Sequence, residues 1–351
     1  MDAVENYIGG AWVESESGNT IESRNPADTS EVVGTVQEST AADADRAIST
    51  AAEAASEWAN TPGPERGRIL REAGTLLAQR KEELTEILIA EEGKARPEAA
   101  GEVQRAIDIF HYFSTKAADL GGAKKGASGP NTNLYTRQEP VGVAALITPW
   151  NYPIAIPAWK IAPALAVGNA VVIKPAMQAP TVGAMIVEAL DEAGIPDGAI
   201  NLVCGPGSEV GERLTTHEDV DVVSFTGSAS VGEHVYDQAT NNGKRAQAEM
   251  GGKNPTVVMP SADVDKAADI VGAGAFGGTG QACTATSRAI VHEDVYDEFV
   301  DAMVDYAEGL DVGHGLDDPD MGPHVSQGEL DSTLDYVEIG QEEGATLETG
   351  G

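Results

Sequence analysis

A cysteine in a glycine-rich segment is the first residue of this sequence that could do covalent chemistry. Cys283 follows Gly277, Gly278 and Gly280, a setting that favours backbone N–H groups directed at the sulfur. Such donors lower the pKa of a thiol and stabilise an oxyanion formed beside it. The alternative is a cysteine buried for packing, which is our interpretation of Cys204 at the end of an apolar strand.

Two further side chains could serve the same reaction. Glu249 has small and apolar neighbours, so we expect partial burial to raise its pKa toward the range of a general base. Asn151 follows Pro149 and Trp150 and could donate its amide N–H to a developing oxyanion. Its alternative role is that of a turn residue.

Residues at predicted strand ends suggest a nucleotide site. Gly227 follows the apolar strand 220–225, and Ser228 is placed to begin a helix whose free N–H groups would face a pyrophosphate. An ordinary turn with a serine cap is the alternative. Lys174 follows the strand 170–173 and could meet a ribose hydroxyl or a phosphate, or be a solvated loop residue.

A glycine-rich stretch after another predicted strand gives weaker support for a dinucleotide site. Gly205, Gly207 and Gly211 follow the strand 199–203. The third glycine falls one place late for the usual G-x-G-x-x-G spacing. This stretch alone therefore does not identify a dinucleotide site.

The elements that must position these residues alternate between strands and helices from residue 141 onward. The predicted strands are rich in apolar residues and span 141–147, 170–174, 199–203 and 220–225; the predicted helices span 156–167, 181–193, 209–215 and 230–240. This order predicts a parallel sheet covered on both faces. Ligands of such sheets bind at the carboxyl ends of the strands.

The rest of the chain gives three further predictions. Helices are expected at 41–58, 64–92 and 101–120 after a short extended start, and a second strand–helix block is expected after residue 252, with strands at 256–259 and 287–292 and helices at 263–276 and 295–310. The stretch 122–139 is rich in Gly, Lys, Ser and Asn before a short alternating segment. It is either an arm that reaches a partner subunit or a plain surface hairpin.

Acidic residues greatly outnumber basic ones, with 57 Asp and Glu against 22 Lys and Arg and a formal net charge of −35. Such a surface repels nucleic acid and anionic lipid, so we expect neither as a partner. The acidic residues are spread along the chain, which is typical of a protein that works in concentrated salt; an ordinary acidic enzyme is the alternative. With two cysteines, no visible secretory signal and no long apolar stretch, we expect a cytoplasmic protein without a structural metal.

Five segments in this order resemble the aldehyde dehydrogenase superfamily. They read PWNYP at 149–153, KPA at 174–176, FTGS at 225–228, EMGGK at 249–253 and GQAC at 280–283. Each segment is common alone, but their combination and order are highly specific, and the resemblance extends from near the first residue to the last. It implies oxidation of a small-molecule aldehyde to a carboxylic acid with a nicotinamide cofactor.

The resemblance also implies roles for individual residues. The Cys283 thiolate would attack the aldehyde carbon while Asn151 and the Cys283 backbone N–H hold the oxygen. After hydride transfer, Glu249 would activate the water that hydrolyses the acyl-thioester, and Lys160 matches a family lysine that assists proton movement. The implied cofactor contacts are Thr148, Pro149, Trp150, Lys174, Ala176, Met177, Gly207, Gly211, Phe225, Thr226, Gly227, Ser228, Met250 and Gly251.

The fold implied by the resemblance is α/β. We expect a Rossmann-like parallel-sheet cofactor domain from residues 1–121 and 140–252. A small β oligomerisation arm is expected at 122–139, and an α/β catalytic domain at 253–351. Family members continue beyond this length, into a segment that supplies a glutamate for the nicotinamide ribose and the last strand of the arm. We therefore expect the catalytic domain to be incomplete here and the full-length protein to be a homodimer or homotetramer.

One departure from the family pattern concerns the cofactor. Many NAD-preferring members have a glutamate three residues after the lysine, where it binds the adenosine ribose hydroxyls, but this sequence has Met177. Without that carboxylate, a 2′-phosphate would not be repelled. We expect NADP or NAD to be used, with NADP slightly favoured.

The substrate class and the competing functions remain open at this point. Residues 156–166 and 279–288 look most like those of 2-oxoglutarate-semialdehyde dehydrogenases, and succinate-semialdehyde and betaine-aldehyde enzymes are similar. A cysteine acyltransferase or hydrolase would leave the cofactor signals without a purpose. A CoA-acylating relative would typically lack the carboxylate of Glu249. A catalytically idle fragment of the same fold is the alternative outside enzymes.

Overall fold

The computed structural model describes residues 3–351. Its strands are β1 (Ala3–Val4), β2 (Asn6–Ile8), β3 (Ala11–Val13), β4 (Thr20–Asn25), β5 (Asp28–Gln37), β6 (Lys124–Lys125), β7 (Leu134–Tyr135), β8 (Val143–Ile147), β9 (Ala170–Lys174), β10 (Ile200–Leu202), β11 (Val222–Gly227), β12 (Arg245–Met250), β13 (Asn254–Val258) and β14 (Thr286–Val291). Its α-helices are α1 (Ala41–Asn60), α2 (Gly63–Gln79), α3 (Lys81–Glu92), α4 (Arg96–Lys116), α5 (Ala155–Val167), α6 (Thr181–Glu192), α7 (Glu212–Thr216), α8 (Ala229–Asn241), α9 (Val264–Phe276), α10 (Tyr296–Glu308) and α11 (Gln327–Glu342).

The predicted parallel sheet forms the centre of a seven-stranded sheet in the order β12-β11-β8-β9-β10-β2-β3. β11, β8, β9 and β10 pair in parallel, which confirms the prediction from the strand–helix alternation. β2 runs antiparallel to β10 and to β3, so the extended start of the chain continues the sheet at one end. The carboxyl ends of the four parallel strands therefore share one edge.

Both faces of β8, β9 and β10 are buried, whereas β11 is fully buried on one face only. Every residue of β8 and β9 is buried, and alternate strand residues such as Ala145 and Val172 belong to one core cluster with residues of α1, α7 and α8. The intervening residues, such as Ala144 and Val171, are equally buried. α5 and α6 contact the strands, and α2 packs against both of these helices. The sheet is thus covered by helices on each side, as near-continuous apolar strands require.

The chain divides into two compact units. The first consists of the chain up to Ser23 together with Gly34–Leu84 and Gly101–Glu249, and the second consists of Arg24–Val33, Thr85–Ala100 and Met250–Gly351. In the second unit, β13 and β14 pair in parallel. α9 and α10 pack beside them around a small cluster that includes Val258, Val271 and Phe299. The functional names given to the domains from the sequence stay predictions.

Several predicted elements differ in detail from those observed. The predicted helix 64–92 is two helices, α2 and α3, which meet at Arg80, whose guanidinium pairs with Glu188 and Glu192. The predicted helix 209–215 is a π-helical turn at Gly207–Gly211 followed by the short α7. β12 and α11 were not predicted. The stretch 122–139 contains the exposed antiparallel pair β6–β7.

Gly142, directly before β8, is a position where only glycine fits. Its φ is +131°, and an added Cβ would lie 2.0 Å from Oδ2 of Asp221. That carboxylate accepts a hydrogen bond of 2.8 Å from the backbone N–H of Val143, so it cannot move aside without losing the bond. The close approach of Asp221 therefore fixes the start of β8.

We expect Gly142→Ala to lower the free energy of unfolding by about 1–3 kcal/mol, because it adds both backbone strain and a clash. Gly101→Ala is the matched control, since Gly101 lies in α4 with open space around its Cβ position. It should raise the free energy of unfolding by about 0.5–1 kcal/mol through helix propensity. Urea unfolding in molar KCl, followed by circular dichroism, measures both. Equal changes for the two variants would contradict the role of Gly142.

Candidate active site

The residues at the carboxyl ends of β8, β9 and β11 lie along one edge of the sheet. Thr148 directly follows β8, Lys174 ends β9 and Gly227 ends β11. Thr148 is buried, and within residues 3–351 its Oγ1 is a buried atom with no hydrogen-bond partner. A buried hydroxyl of this kind is suited to a polar ligand atom, because an unsatisfied hydroxyl is costly.

Lys174 is buried and points along this edge. Its ammonium donates to the backbone carbonyls of Pro175 (2.9 Å) and Gly205 (3.1 Å). Burial lowers its pKa to about 8. An ammonium has three N–H donors, so the two carbonyls leave one for a ligand oxygen. The alternative of a solvated loop residue is wrong, because Lys174 belongs to β9 and is only 6% exposed.

The turn from β11 to α8 leaves the start of that helix open. A Cβ at Gly227 would lie 2.5 Å from the ring of Phe225, so the position requires glycine. Ser228 is the N-cap residue of α8, but its side chain makes no capping hydrogen bond. Ser228 therefore stands at the predicted capping position, but the capping hydrogen bond itself is not formed. The first N–H groups of the helix lack a capping side chain, which suits an anion such as a pyrophosphate.

The other predicted cofactor residues are placed as follows. Gly207 and Gly211 bound the π-helical turn, and a Cβ at either would meet open space. Packing within the chain thus does not explain glycine at these two positions. Phe225 is buried, the half-buried residues are Pro149, Trp150, Ala176, Met177 and Thr226, and the exposed ones are Met250 and Gly251, which lie in the second unit.

Asn151 lies in the loop between β8 and α5 and is half-buried. The start of α5 is held by a carboxylate from α4, since the backbone N–H groups of Ile154 and Ala155 both donate to Oε1 of Glu102 at 3.1 Å. Glu102 is itself buried. It therefore fixes the helix that begins after Asn151 and carries Lys160. Glu102 was not predicted from the sequence, because a lone carboxylate on an amphipathic helix carries no signal.

Lys160 and Glu249 are joined by a chain of hydrogen bonds. Nζ of Lys160 donates to Oγ of Ser224 (2.7 Å), Ser224 donates to Oε1 of Gln247 (2.9 Å), and Nε2 of Gln247 donates to Oε1 of Glu249 (3.1 Å). Lys160 is 9% exposed. Burial lowers its pKa to about 8, against the opposing effect of the Glu249 charge. The two linking residues, Ser224 and Gln247, were not predicted from the sequence, because their contacts form only when β11 and β12 lie side by side.

Glu249 is exposed, so the expectation of partial burial was wrong. Its strand, β12, is the last strand at one end of the sheet. Small and apolar neighbours in sequence did not bury the side chain, because Ala246 and Ala248 point to the opposite face, where they pack against the core.

Cys283 lies in the second unit, and its side chain is exposed while Cys204 is buried. The side-chain amide of Asn254 donates to the backbone carbonyls of Cys283 (2.8 Å) and Ala285 (3.0 Å). Oε1 of Gln281 accepts a hydrogen bond of 3.0 Å from the backbone of Val325. These bonds hold the loop on both sides of the sulfur. The packing interpretation of Cys283 is wrong, and that of Cys204 is confirmed.

The loop before Cys283 has a fixed shape as well. Gly278 and Thr279 both have φ of +58°. The Gly278 N–H donates to Oε1 of Glu98 at 2.7 Å, and the Thr279 hydroxyl donates to the carbonyl of Gly322 at 3.0 Å. A non-glycine residue with positive φ is costly. These bonds hold Thr279 in that conformation four residues before Cys283.

The sequence of residues 12–351 matches the aldehyde dehydrogenase family. The chain belongs to the aldehyde dehydrogenase family. It is therefore an enzyme, and the alternative of a thiol acyltransferase or hydrolase outside this family is excluded. The fold class predicted from the resemblance is confirmed, since solved structures of the family superpose on 99% of the chain.

A relative and two solved structures of aldehyde dehydrogenases illustrate the match. The α-ketoglutarate semialdehyde dehydrogenase of Haloferax volcanii is 69% identical over 100% of this chain and 72% of its own length. The betaine aldehyde dehydrogenase of Staphylococcus aureus, solved with NAD+, has a TM-score of 0.96 at 37% identity, covering 99% of this chain and 69% of its own. A 3,6-anhydro-L-galactose dehydrogenase solved with NADP has a TM-score of 0.95 at 34% identity, covering 99% and 73%.

The residues at the strand ends fit the nicotinamide cofactor of this dehydrogenase family. The third N–H of Lys174, the buried hydroxyl of Thr148 and the open N-terminus of α8 are polar groups suited to ribose and phosphate oxygens. Among residues 3–351, no cluster of His, Cys, Asp and Glu could hold a metal ion. The helices of that same part of the chain include none that could span a bilayer.

The depressed pKa of Lys160 makes the stability of this dehydrogenase depend on pH. Between pH 8 and 10.5 the unfolded chain still binds a proton at this lysine that the folded chain has released. The free energy of unfolding therefore rises with pH in that window, by at most about 3 kcal/mol for this shift. Lys160→Met should be more stable than the native chain below pH 8, with an advantage that shrinks toward pH 10.5.

Urea unfolding at pH 7, 8, 9 and 10.5 measures this difference. Lys266→Met is the matched control, because it removes an exposed lysine of α9 and keeps Lys160, so its free energy of unfolding should still rise with pH in this window. A constant difference for Lys160→Met across the series would show that Lys160 does not titrate in this range.

Proposed function

We propose that this aldehyde dehydrogenase oxidises 2-oxoglutarate semialdehyde to 2-oxoglutarate. The observation that carries the proposal is the 69% identity, over the whole chain, to the Haloferax volcanii enzyme named for that substrate. The segments 156–166 and 279–288, which resemble such enzymes, lie within the matched length. Water is the second reactant, so one aldehyde, one oxidised cofactor and one water give one carboxylic acid, one reduced cofactor and one proton.

The proposed roles follow from the chemistry of the side chains and from the resemblance to the family. Sγ of Cys283 bonds to the aldehyde carbon, and the side-chain amide of Asn151 and the Cys283 backbone N–H stabilise the resulting oxyanion. A bound nicotinamide would supply the hydride acceptor, and loss of the hydride from the Cys283 adduct would leave an acyl-thioester on the sulfur. Glu249 then removes a proton from water as the water oxygen bonds to the acyl carbon. The C–S bond breaks, and its electron pair returns to the sulfur.

The substrate is an anion and the enzyme carries a net charge of −35. At low ionic strength this charge opposes the approach of a carboxylate. In molar salt the Debye length falls to about 3 Å, so surface charges repel the substrate carboxylate only at short range. We therefore propose that the enzyme works in concentrated salt in the cytoplasm.

The exposed hairpin β6–β7 is the proposed contact between subunits of a homodimer or homotetramer. Leu134 and Tyr135 are 47% and 75% exposed, which is unfavourable for two adjacent large side chains on a free surface. The antiparallel pairing of Lys124 with Tyr135 offers a short edge to which another strand could add.

We expect an increase in absorbance at 340 nm when the enzyme is given 2-oxoglutarate semialdehyde and cofactor in molar KCl without CoA. The efficiency should exceed that with succinate semialdehyde or betaine aldehyde by at least tenfold. Cys283→Ser should lower kcat by more than about 10³-fold, because it removes the nucleophile. Cys204→Ser is the control and should retain activity, since Cys204 lies in the core.

Iodoacetamide labelling tests the reactivity of the Cys283 thiol directly, and it does so even if turnover of the aldehyde is too slow to measure. The native enzyme should incorporate one label, at Cys283, and the unfolded chain two. Preference for betaine aldehyde would overturn the proposed substrate, and full activity of Cys283→Ser would overturn the proposed nucleophile.

We propose that NADP is preferred over NAD. Met177 is half-buried three residues after Lys174, at the position where many NAD-preferring members carry a glutamate. Met177→Glu should lower the efficiency with NADP by at least about tenfold, because a carboxylate within about 4 Å of a phosphate costs more than 1 kcal/mol even in a high dielectric. The efficiency with NAD should not fall.

Met177→Gln is the matched control for size and polarity, and it should keep the preference for NADP. The measurement is kcat/KM for both cofactors with each variant. A native enzyme that prefers NAD by tenfold or more would refute the proposed preference, whatever the variants do.

A further inference from the structure

We propose that Ser224 and Gln247 are positioning residues that hold the carboxylate of Glu249 in one orientation and tie it to the charge on Lys160. The proposal rests on the proposed function, because it assumes that Glu249 is the base for hydrolysis of the acyl-thioester. Its basis is the continuous set of hydrogen bonds Lys160–Ser224–Gln247–Glu249, at 2.7, 2.9 and 3.1 Å.

The chemistry of Lys160 sets the direction of every bond in this chain. An ammonium can only donate, so Oγ of Ser224 accepts from Lys160 and its hydroxyl proton is directed at Oε1 of Gln247. That fixes the amide oxygen of Gln247 toward Ser224 and the amide nitrogen toward Glu249. All three donors therefore point toward the carboxylate, and the positive end of the chain is the buried lysine.

Side-chain alternation on two neighbouring strands brings these residues to one face. Val223 and Phe225 of β11, and Ala246 and Ala248 of β12, pack against the same core cluster. Since successive residues of a strand point to opposite faces, Ser224, Gln247 and Glu249 share the other face. α5 contacts the neighbouring strands β8 and β9 and brings Lys160 to Ser224.

The chain does not conduct protons, because the amide of Gln247 interrupts it. A side-chain amide holds its two N–H protons on nitrogen and accepts only at oxygen, so no proton passes from Glu249 to Ser224. The proton that Glu249 takes from water must leave elsewhere, and the exposure of Glu249 gives it a route to solvent. The function of the chain is orientation and charge stabilisation.

This arrangement affects one step of the reaction. Oε1 of Glu249 accepts from Gln247, which leaves Oε2 for the proton of the attacking water. Without the amide, an exposed carboxylate rotates freely and presents either oxygen. The attack of Cys283 on the aldehyde does not use Glu249 in the proposed mechanism. Loss of the chain should therefore slow hydrolysis of the acyl-enzyme and spare its formation.

The experiment compares variants that remove one link with variants that keep it. Gln247→Met and Ser224→Ala each remove a hydrogen bond with little change in volume, and Ser224→Thr keeps the hydroxyl. Gln238→Met is the matched control, because Nε2 of Gln238 also donates to a glutamate, Glu212, at 3.3 Å on α8 and α7. Rapid mixing of enzyme with aldehyde and cofactor measures the burst of reduced cofactor in the first turnover. The later, linear part of the same absorbance trace gives the steady-state rate. Intact-mass measurement of quenched samples gives the fraction of enzyme that is acylated.

We expect Gln247→Met and Ser224→Ala to lower the steady-state kcat by about tenfold, the usual effect of losing a hydrogen bond to a charged group. The burst should stay at one reduced cofactor per chain, and the acylated fraction should rise. Ser224→Thr should restore the native rate, and Gln238→Met should not change it. A variant that merely unfolds would lose burst and steady state together, so thermal unfolding is measured for each.

The outcomes separate the two proposals. If the native enzyme forms no acyl adduct at Cys283, the proposed function is wrong and this inference falls with it. If the native enzyme forms the adduct and turns over, but Gln247→Met and Ser224→Ala do so at the native steady-state rate, the proposed function stands and the positioning role is refuted. Failure of Ser224→Thr to restore the rate lost in Ser224→Ala would also refute it.

Discussion

The exclusion of water from both faces of β8, β9 and β10 is the constraint on which the rest of the structure depends. Within such a sheet a polar side chain has no partner except the neighbouring backbone, so the strands are apolar and the polar groups gather where the strands end. Lys174 shows the limit of this rule, because its ammonium is buried and survives there by donating to two backbone carbonyls. The place of the candidate cofactor site is thus a consequence of how the sheet is covered.

The same constraint relaxes at β12, the last strand at its end of the sheet. One face of β11 and β12 remains apolar and packs on the core, while the other face carries Ser224, Gln247 and Glu249. Polar side chains cost little free energy on that face, because solvent reaches the strand. The buried Lys160 connects the apolar strands with this polar face. It belongs to α5, which covers the apolar strands, and its ammonium donates a hydrogen bond to Ser224.

The sequence was sufficient for features that rest on local pattern. The strands β8 to β11 and their helices follow from apolar runs and turn residues, and the family follows from five short segments. It was insufficient wherever a role depends on a distant partner. Glu102, which accepts from two N–H groups at the start of α5, is one of many acidic residues on helices. The exposure of Glu249 was mispredicted because neighbours in a strand point to the opposite face.

Concentrated salt separates the charges of this enzyme into two classes. Exposed pairs such as Arg68 with Glu65, whose side chains are 57% and 47% exposed, contribute little in water and less when the Debye length falls to a few ångströms. The net charge of −35 is screened by the same ions. Lys160 and Lys174 are buried beyond the reach of those ions, and their partners are a hydroxyl and backbone carbonyls. These two buried lysines therefore keep their interactions under conditions that weaken the ion pairs of the surface, whereas the exposed carboxylate of Glu249 is screened like the surface charges.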